Sequence, residues 1–487
     1  MRLAWLRLFE YIALITGIIF LLAPVMLWGL ELKLTSLLSI LCGIIAGMAT
    51  VLYVWLHKRR RGADRWLPVD KLDDHYWHDE PVVQKVQKLG PLDGSGSKLF
   101  YLSRVEIKNI CCFEELDLAF ETSHANLTTL VLGDNSTGKS TILRSIAIGL
   151  CPESEAVSLM KDLKGRFLRD GTNKGWIRIH LRSADRKHMG TIETAIFRSN
   201  DIEKVRQTTI PSKFPWDRVF VCGYGTYRTA EASESFEGYR PMDALSTLFN
   251  DSERLQNPEV VLSRDSHVRE RLIKVLQNIL LLEMQDNLLE QTKKGVFLSG
   301  PWGKQLLTSI SDGYRSTVQW VIDFLTWHIH AEHTIHRESL AGILLIDELE
   351  QHLHPRWQRH ILQRIRAQFP YVQLISTTHT PLIASAMADL NCSQILRMRI
   401  EEKGGISVRS LDPKSLIGKR ADQVLSSAFD MITSKSPASA SAIARYATLA
   451  AKDRGHEEEI EYNLLRDKLG LESGLGENEY QQVVMVK

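Results

Sequence analysis

The chain of 487 residues contains little cysteine and almost no excess of charge. Its 6 cysteines form no C-x-x-C pair, so the sequence indicates neither a zinc site nor a disulfide framework. Lysine and arginine total 60 against 58 aspartates and glutamates, which leaves a net charge of +2. That balance excludes a globally basic coat for nucleic acid and an acidic, disordered chain. Internal repeats and long low-complexity tracts are also missing, and the length favours about three domains.

Two long apolar runs lie near the start of the chain. Residues 11–30 and 34–56 contain no charged side chain, and each run is long enough to cross about 30 Å of hydrocarbon as a helix. Only residues 31–33 separate the two runs. The sequence therefore predicts an N-terminal transmembrane α-hairpin over residues 1–57. A cleaved signal peptide and a buried hairpin of a soluble core are the less favoured interpretations.

Basic residues flank this hairpin on both outer sides. Arg2 and Arg7 precede the first run, and a basic segment, residues 58–65, follows the second. Because positive charge is retained in the cytoplasm, both chain ends are predicted to be cytoplasmic. Contact of the run 58–61 with DNA is the less favoured alternative, since basic residues next to a span also meet anionic lipid.

The rest of the chain divides by its pattern. Residues 58–98 are a basic and polar linker with scattered prolines and a Gly-Ser tract. Alternating apolar residues at 99–110 and 113–120 predict antiparallel strands, and the continuous apolar run 128–132 predicts a buried strand. We predict an α/β head over residues 99–400 with a helical insertion at about 231–300, and a C-terminal helical region over 401–487.

A glycine-rich segment follows the run 128–132 and matches G-x-x-x-x-G-K-[ST]. Such a loop directs backbone N–H groups and a helix amino end at phosphate oxygens. Lys139 would neutralise the β- and γ-phosphates of ATP, and the Ser140 hydroxyl would ligate Mg²⁺. The predicted nucleotide-binding residues of this P-loop are Gly133, Asp134, Asn135, Ser136, Thr137, Gly138, Lys139, Ser140 and Thr141.

Two acidic residues, Asp347 and Glu348, directly follow the apolar run 343–346. Beside a P-loop, this pattern predicts that Asp347 holds Mg²⁺ and that Glu348 polarises the attacking water as general base. The alternative is ordinary solvation of a strand end. His379 follows the apolar strand predicted at 372–376 and is a candidate contact of the γ-phosphate, although a histidine in this position is often structural.

A serine and a glycine, Ser311 and Gly313, precede a helical run over residues 317–328. A helix amino end of this kind can bind an anion, but the pattern is also common in structural helices. Four histidines, at positions 328, 330, 333 and 336, lie at and beyond the end of this run, where a polar helix end is favoured over a metal site.

In this order, the motifs resemble the ABC-type ATPase heads of the SMC, RecF and OLD families. The segment Glu348–Pro355 looks like the DE-x-E-x-x-LHP variant of bacterial OLD-like ATPases. The resemblance implies ATP and Mg²⁺ as cofactors and a head-to-tail homodimer around two ATP molecules. In it, Ser311 and Gly313 of one subunit face the γ-phosphate held by Lys139 of the other. Asp347, Glu348 and His379 inherit the metal, base and switch roles.

Two details depart from the families. Asp312 replaces a small residue in the signature, and no Q-loop glutamine can be assigned. Arg228, in the segment Gly223–Arg228, is a candidate nucleotide or sensor contact, with a structural turn as the alternative. No D-x-D pair follows residue 400, so the nuclease chemistry of OLD proteins is not indicated.

The sequence thus predicts an ATP-hydrolysing protein of the bacterial inner membrane, with its head in the cytoplasm. The resemblance points to anti-phage defence, in which the nucleotide state of the head acts on the hairpin or on a separate effector protein. Assembly of the homodimer into a higher oligomer is left open. An energy-coupling subunit of a transporter and a membrane-tethered DNA repair or segregation ATPase are the alternatives. The transporter needs further membrane subunits, and the DNA hypothesis needs nucleic-acid binding.

Overall fold

The structure is a computed structural model. It describes residues 98–468 apart from 121–126, 164–165, 201, 229–237, 259–260, 262–265, 281–288, 293–294, 301–302, 332–339, 402–404, 430–436 and 453. The predicted hairpin over residues 1–57 and nearly all of the linker lie outside these residues, so the prediction of two spans stays a prediction. Within the described part, no helix is long and apolar enough to cross a membrane.

A sheet of six strands forms the centre of the head. Its strands are β3 (Thr128–Leu132), β7 (Val221–Tyr224), β11 (Ala341–Ile346), β12 (Tyr371–Thr378), β13 (Ser393–Ile400) and β14 (Ile406–Leu411). Their order in space is β14-β13-β3-β12-β11-β7. All neighbours are parallel except the edge pair β13 and β14, which is antiparallel. This is the α/β arrangement predicted from the sequence.

The central strands are apolar throughout because both faces of this sheet are covered. Successive residues of a strand point to opposite faces. Leu130, Leu344 and Ile346 therefore join one buried cluster, whereas Val131 and Leu345 join another. A continuous apolar run thus serves two cores, which is why the predicted strands at 128–132 and 343–346 match observed ones.

A second sheet is entirely antiparallel, in the order β2-β1-β4-β5-β6. It consists of β1 (Phe100–Ile110), β2 (Phe113–Ala119), β4 (Lys174–Ser183), β5 (Met189–Ser199) and β6 (Ile202–Ile210). Buried and more exposed residues alternate along β4, so only one face is covered. Helix α1 (Lys139–Gly149) packs in the cluster that this face shares with the central sheet. The antiparallel strands predicted at 99–110 and 113–120 are therefore confirmed as β1 and β2.

The remaining helices are α2 (Glu153–Lys161), α3 (Pro241–Leu245), α4 (Ser266–Ile279), α5 (Asp312–Ala331), α6 (Pro355–Gln358), α7 (Ile361–Gln368), α8 (Pro381–Ala386), α9 (Ala421–Phe429), α10 (Pro437–Ala450) and α11 (His456–Lys468). Helices α4, α5, α7 and α8 contribute buried residues to the cluster on the opposite face of the central sheet from α1.

Two predicted helical regions need correction. The segment 231–300 contains α3 and α4, but it ends in strands β8 (Leu289–Thr292) and β9 (Gly295–Gly300), which form a small antiparallel sheet with β10 (Gly303–Leu306). The region after residue 400 begins with β14, so the central sheet extends past the predicted boundary. Strands β8 and β10 contain neither a continuous apolar run nor a regular alternation of apolar and polar residues, so the sequence does not mark them.

Candidate active site

The glycine-rich loop lies between β3 and α1, in the strand–loop–helix context that a P-loop requires. Ser136 and Gly138 have positive φ angles of 65° and 93°. A Cβ atom on Gly138 would lie 2.5 Å from Sγ of Cys112 and 2.7 Å from the ring of Phe113. Glycine is therefore required at position 138 both by backbone conformation and by the close approach of the β1–β2 turn.

The amino end of α1 can receive phosphate. Within the described chain, no side chain caps this helix and its first turn carries no acidic residue, so its N–H groups remain available to an anion. The buried Lys139 ammonium donates hydrogen bonds to the carbonyl oxygens of Gly133 and Asp134, at 2.9 and 2.7 Å. Burial lowers the pKa of Lys139, and the carboxylates of Asp347 and Glu348 oppose that shift.

Asp347 and Glu348 follow the last residue of β11. The Asp347 side chain is buried, at 5% exposure. The Thr377 hydroxyl donates to Oδ1 of Asp347 at 2.6 Å and accepts a hydrogen bond from the backbone N–H of Glu348 at 2.7 Å. One threonine of β12 therefore orients the carboxylate of one acidic residue and the backbone of the next.

Glu348 adopts a left-handed backbone conformation with φ 47°, which is uncommon for a residue with a side chain. Its carbonyl oxygen accepts a hydrogen bond from Nη2 of Arg228 at 2.8 Å, and the same nitrogen donates to the carbonyl oxygen of Asp347. Nε of Arg228 donates to the carbonyl oxygen of Gly225 at 2.9 Å. Arg228 is thus buried against backbone, and burial lowers its pKa to about 10.

His379 comes directly after β12 and lies beside the predicted general base. Its Nε2 is 4.0 Å from Oε1 of Glu348, and both side chains are partly exposed, at 32% and 40%. The backbone N–H of His379 donates to Oε1 of Glu350, which fixes the start of the loop. The side chains of Glu348 and His379 can therefore both contact a nucleotide at this edge.

Strand order brings the motifs together. The P-loop, His379, Asp347–Glu348 and the Gly225–Arg228 loop follow β3, β12, β11 and β7, which are consecutive neighbours in the sheet. Since these strands are parallel, all four loops leave the same edge. The carboxyl edge of an open parallel sheet is where α/β proteins bind ligands.

The residues that the nucleotide and metal require are present at this edge. Uncapped N–H groups and Lys139 fit phosphate oxygens, and the hydroxyl of Ser140 with the carboxylate of Asp347 fits Mg²⁺, which prefers oxygen ligands. Ser140 is the second residue of α1, directly after Lys139. The P-loop residues, Asp347, Glu348 and His379 thus share one edge, although their predicted roles stay predictions.

The predicted signature lies at the start of α5. Ser311 and Asp312 are exposed, and Asp312 forms an ion pair with Arg315. Gly313 packs against the loop after β11, because a Cβ atom there would lie only 2.3 Å from the carbonyl oxygen of His352. In the described single chain, Gly313 therefore contacts the loop after Glu348. Its contact with the nucleotide of a second chain stays a prediction.

Sequence reasoning singled out Arg228, which is bonded to the backbone of this site, but it missed the parts played by Thr377 and Glu350. Thr377 stands two positions before His379, where a hydroxyl in an apolar strand is a usable signal. Glu350 was recognised in the sequence only as part of the segment Glu348–Pro355.

The described members of the histidine group at the end of α5 do not form a recognisable metal site. Of this group, His328 is buried edge-to-face against Phe220, with ring centroids 5.3 Å apart, and positions 333 and 336 lie outside the described residues. Among the described residues, no three or more histidine, cysteine, aspartate or glutamate side chains are grouped so that they could hold a metal ion.

Two family models match the chain. One, described as "AAA domain", matches residues 104–294, which include the P-loop. The other, described as "AAA domain, putative AbiEii toxin, Type IV TA system", matches residues 311–385, which include Asp347, Glu348 and His379.

Similar curated proteins include Septu and retron proteins. Septu protein PtuA of Bacillus mycoides (strain KBAB4) is 26% identical over 428 residues, which is 86% of this chain and 56% of the relative. Septu protein PtuA of Bacillus thuringiensis is 26% identical over 170 residues, 34% of this chain and 42% of the relative. Retron Vc95 probable ATPase of Vibrio cholerae serotype O1 biovar El Tor is 48% identical over 46 residues, 9% of each chain. The chain spans about half the length of the Septu relatives it matches.

Solved structures show a weaker likeness. The SMC head domain from Thermotoga maritima has a TM-score of 0.39 and 13% identity, covering 64% of this chain and 99% of that one. The recombination mediator protein RecF has a TM-score of 0.38 and 14% identity, covering 63% and 98%. The fold assignment therefore depends on the motifs and strand order of this chain. By these, and by its AAA-domain matches, the chain has an α/β P-loop ATPase fold and is similar to Septu protein PtuA.

Proposed function

We propose that this protein binds ATP with Mg²⁺ and hydrolyses it at the carboxyl edge of the central sheet. The observation that carries the proposal is the convergence there of the P-loop, the Asp347–Glu348 pair and His379. Uncapped N–H groups of α1 and Lys139 would hold the β- and γ-phosphates. Mg²⁺, held by Ser140 and Asp347, would neutralise charge on the transferred phosphoryl group.

Glu348 is the proposed general base. Its carboxylate is partly exposed, whereas the buried carboxylate of Asp347 is held by the Thr377 hydroxyl. That difference separates the two roles, because a base must reach a water molecule and a metal ligand must stay in place. His379 would orient the same water or the γ-phosphate from the neighbouring strand.

We further propose that two chains close around two ATP molecules. Support comes from the exposed Ser311 at the start of α5, whose amino end can bind an anion. Gly313 joins that helix to the loop after Glu348, so closing the dimer would reach the base directly. Size measurement by light scattering should show a dimer of the Glu348→Gln chain that depends on ATP. A dimer that forms equally well without nucleotide would contradict this.

The cellular role proposed is anti-phage defence, with the head tied to the bacterial inner membrane by the hairpin and acting on a separate effector. The similarity to Septu and retron proteins supports the first part, and the two uncharged runs at 11–30 and 34–56 support the second. Cells carrying the gene with its neighbours should resist phage only while Lys139 is intact. Equal plating of phage on wild-type and Lys139→Ala cells would contradict the defence role.

Membrane attachment has its own test. A chain with two spans resists extraction of membranes with alkaline carbonate, whereas a peripheral chain is released. Recovery of the full chain in the carbonate supernatant would contradict the anchor and leave the ATPase proposal untouched.

A further inference from the structure

We propose that Arg228 is a positioning residue for ATP hydrolysis, which holds the backbone of Asp347 and Glu348 so that the Glu348 carboxylate faces the nucleotide. The inference deepens the proposed function and rests on Glu348 being the general base. The side chain of Arg228 is buried, with 4% exposure. It therefore acts through the backbone groups to which it is hydrogen-bonded.

The backbone at Glu348 needs such a holder. Its φ of 47° lies in the left-handed region, which a residue with a side chain adopts at a cost. Conformations of this kind persist only where the surrounding structure fixes them, and they concentrate at functional sites. The direction of the Glu348 side chain depends on this angle, because a return to the extended conformation would carry the carboxylate to another side of the strand end.

Two hydrogen-bonding groups fix that conformation from opposite sides. Thr377 accepts the N–H of Glu348 at 2.7 Å, and Arg228 donates to its carbonyl oxygen at 2.8 Å. The same Nη2 of Arg228 also donates to the carbonyl oxygen of Asp347. In an extended strand, consecutive carbonyl groups point in opposite directions. Both can meet one nitrogen only because the chain turns at Glu348, so the guanidinium recognises the turned conformation.

The other end of the guanidinium is anchored. Nε of Arg228 donates to the carbonyl oxygen of Gly225, 2.9 Å away in the loop after β7. That loop is held in turn, because a Cβ atom on Gly225 would lie 2.1 Å from the carbonyl oxygen of Thr247. Arg228 therefore ties the loop after β11 to a closely packed neighbour. A lysine would retain the charge, but it lacks the planar fork that reaches both loops at once.

Arg366 offers a matched control. It is also buried, its pKa is also lowered to about 10 by burial, and it also donates to backbone carbonyl oxygens, those of Pro370 and Val372. These carbonyl groups lie at the start of β12, at the end of the strand away from His379. Arg366→Lys should therefore match the loss of stability of Arg228→Lys without touching the site.

The experiment compares kcat and KM for ATP in the full chain and the variants Arg228→Lys and Arg366→Lys. Each rate is counted per nucleotide-binding site, titrated with a fluorescent ATP analogue, and folding is monitored by thermal unfolding. For Arg228→Lys we expect kcat to fall roughly 100-fold, the order of effect of a small misplacement of a catalytic group. KM should stay near the wild-type value, since the P-loop is unaltered. Arg366→Lys should retain the wild-type kcat.

A double variant separates positioning from general damage. If Arg228 acts through Glu348, then Arg228→Lys combined with Glu348→Gln should hydrolyse ATP no more slowly than Glu348→Gln alone. Thr377→Val removes the hydroxyl from the other side of Glu348 at nearly constant volume and should also lower kcat. Because that hydroxyl also holds Asp347, the variant that keeps the test usable if Arg228→Lys does not fold is Arg228→Gln, which lacks the guanidinium fork and should likewise lower kcat.

Three results would overturn the inference. They are an unchanged kcat in Arg228→Lys, equal losses of kcat in Arg228→Lys and Arg366→Lys, and a further loss when Arg228→Lys is added to Glu348→Gln. A wild-type chain that does not hydrolyse ATP, or a Glu348→Gln chain as fast as wild type, would instead overturn the proposed function on which the inference rests.

Discussion

Nε2 of His379 lies 4.0 Å from Oε1 of Glu348, although the two residues follow different strands of the central sheet. The strands β11 and β12 are parallel neighbours with Ile346 opposite Ser376, and β12 continues for two more residues to Thr378, so both strands end at the same edge of the sheet. This register places an imidazole and a carboxylate side by side at the edge where the P-loop also ends. A general base and a neighbouring polar group in this arrangement can share one water molecule.

Glu348→Gln should retain ATP binding and lose hydrolysis. General-base catalysis contributes roughly 10²–10⁴-fold, and the amide cannot accept the proton of the water. Phosphate release and binding of a fluorescent ATP analogue measure the two properties separately. Glu457→Gln, at an exposed position of α11, serves as the control and should behave as wild type. Turnover by Glu348→Gln at the wild-type rate would show that another group is the base.

Lys139→Ala should weaken ATP binding by roughly 10–100-fold, the range expected when charge-assisted hydrogen bonds to phosphate are lost. The buried ammonium next to the uncapped end of α1 is the reason. Titration calorimetry with ATP and Mg²⁺ checks the affinity. Lys161→Ala removes an exposed lysine at the end of α2 and should leave the affinity unchanged. Comparable losses in both variants would point to a general effect of charge.

Gly138→Ala should abolish nucleotide binding, because the new Cβ atom would lie 2.5 Å from Sγ of Cys112. Gly171 gives a control for the backbone alone, since it also has a positive φ, 76°, but nothing lies within 4 Å of its Cβ position. We expect Gly171→Ala to cost roughly 1–2 kcal/mol of unfolding free energy and to retain binding. Chemical denaturation and ATP titration distinguish the two, and binding by Gly138→Ala would show that the β1–β2 turn can move.

Gly313→Ala should lower hydrolysis although alanine favours helices. Alanine is about 1 kcal/mol better than glycine inside a helix, but its Cβ atom would lie 2.3 Å from the carbonyl oxygen of His352. Displacement of that loop would move Glu350, which accepts the N–H of His379. Gly455→Ala, directly before α11 and with open space at its Cβ position, controls for the added methyl group alone. If Gly313→Ala is both more stable and fully active, the loop adapts and the proposed link from α5 to the site is absent.

Asp323 predicts a dependence of stability on pH. Burial raises its pKa from 3.8 to about 6, although the Tyr224 hydroxyl and the N–H of Gln256 both donate to its carboxylate. A carboxyl group with a raised pKa stabilises the fold below its unfolded pKa, and this contribution is lost as the pH rises to about 6. The loss amounts to roughly 3 kcal/mol. Denaturation between pH 4.5 and 7.5 should show this slope in wild type and lose it in Asp323→Asn, whereas the exposed control Asp251→Asn keeps it.

Much of the site could be predicted from contiguous stretches of sequence. The P-loop, the acidic pair after 343–346 and His379 each depend on a few adjacent residues whose chemistry is set by their place at the end of an apolar strand. The α/β fold class followed from the same runs. The small sheet of β8, β9 and β10 could not be predicted, because its strands are short and pair only with one another.

The sequence alone therefore identified the candidate residues for binding phosphate, holding a metal ion and activating water. Tertiary structure decided which residues hold them in place. Glu348 is fixed by Thr377, 29 positions away, and by Arg228, 120 positions away. Gly313 meets the loop at His352 by the packing of α5. Such contacts depend on the spatial order of the strands. That order is set by packing that buries both apolar faces of the central sheet, and a short stretch of sequence does not contain this information.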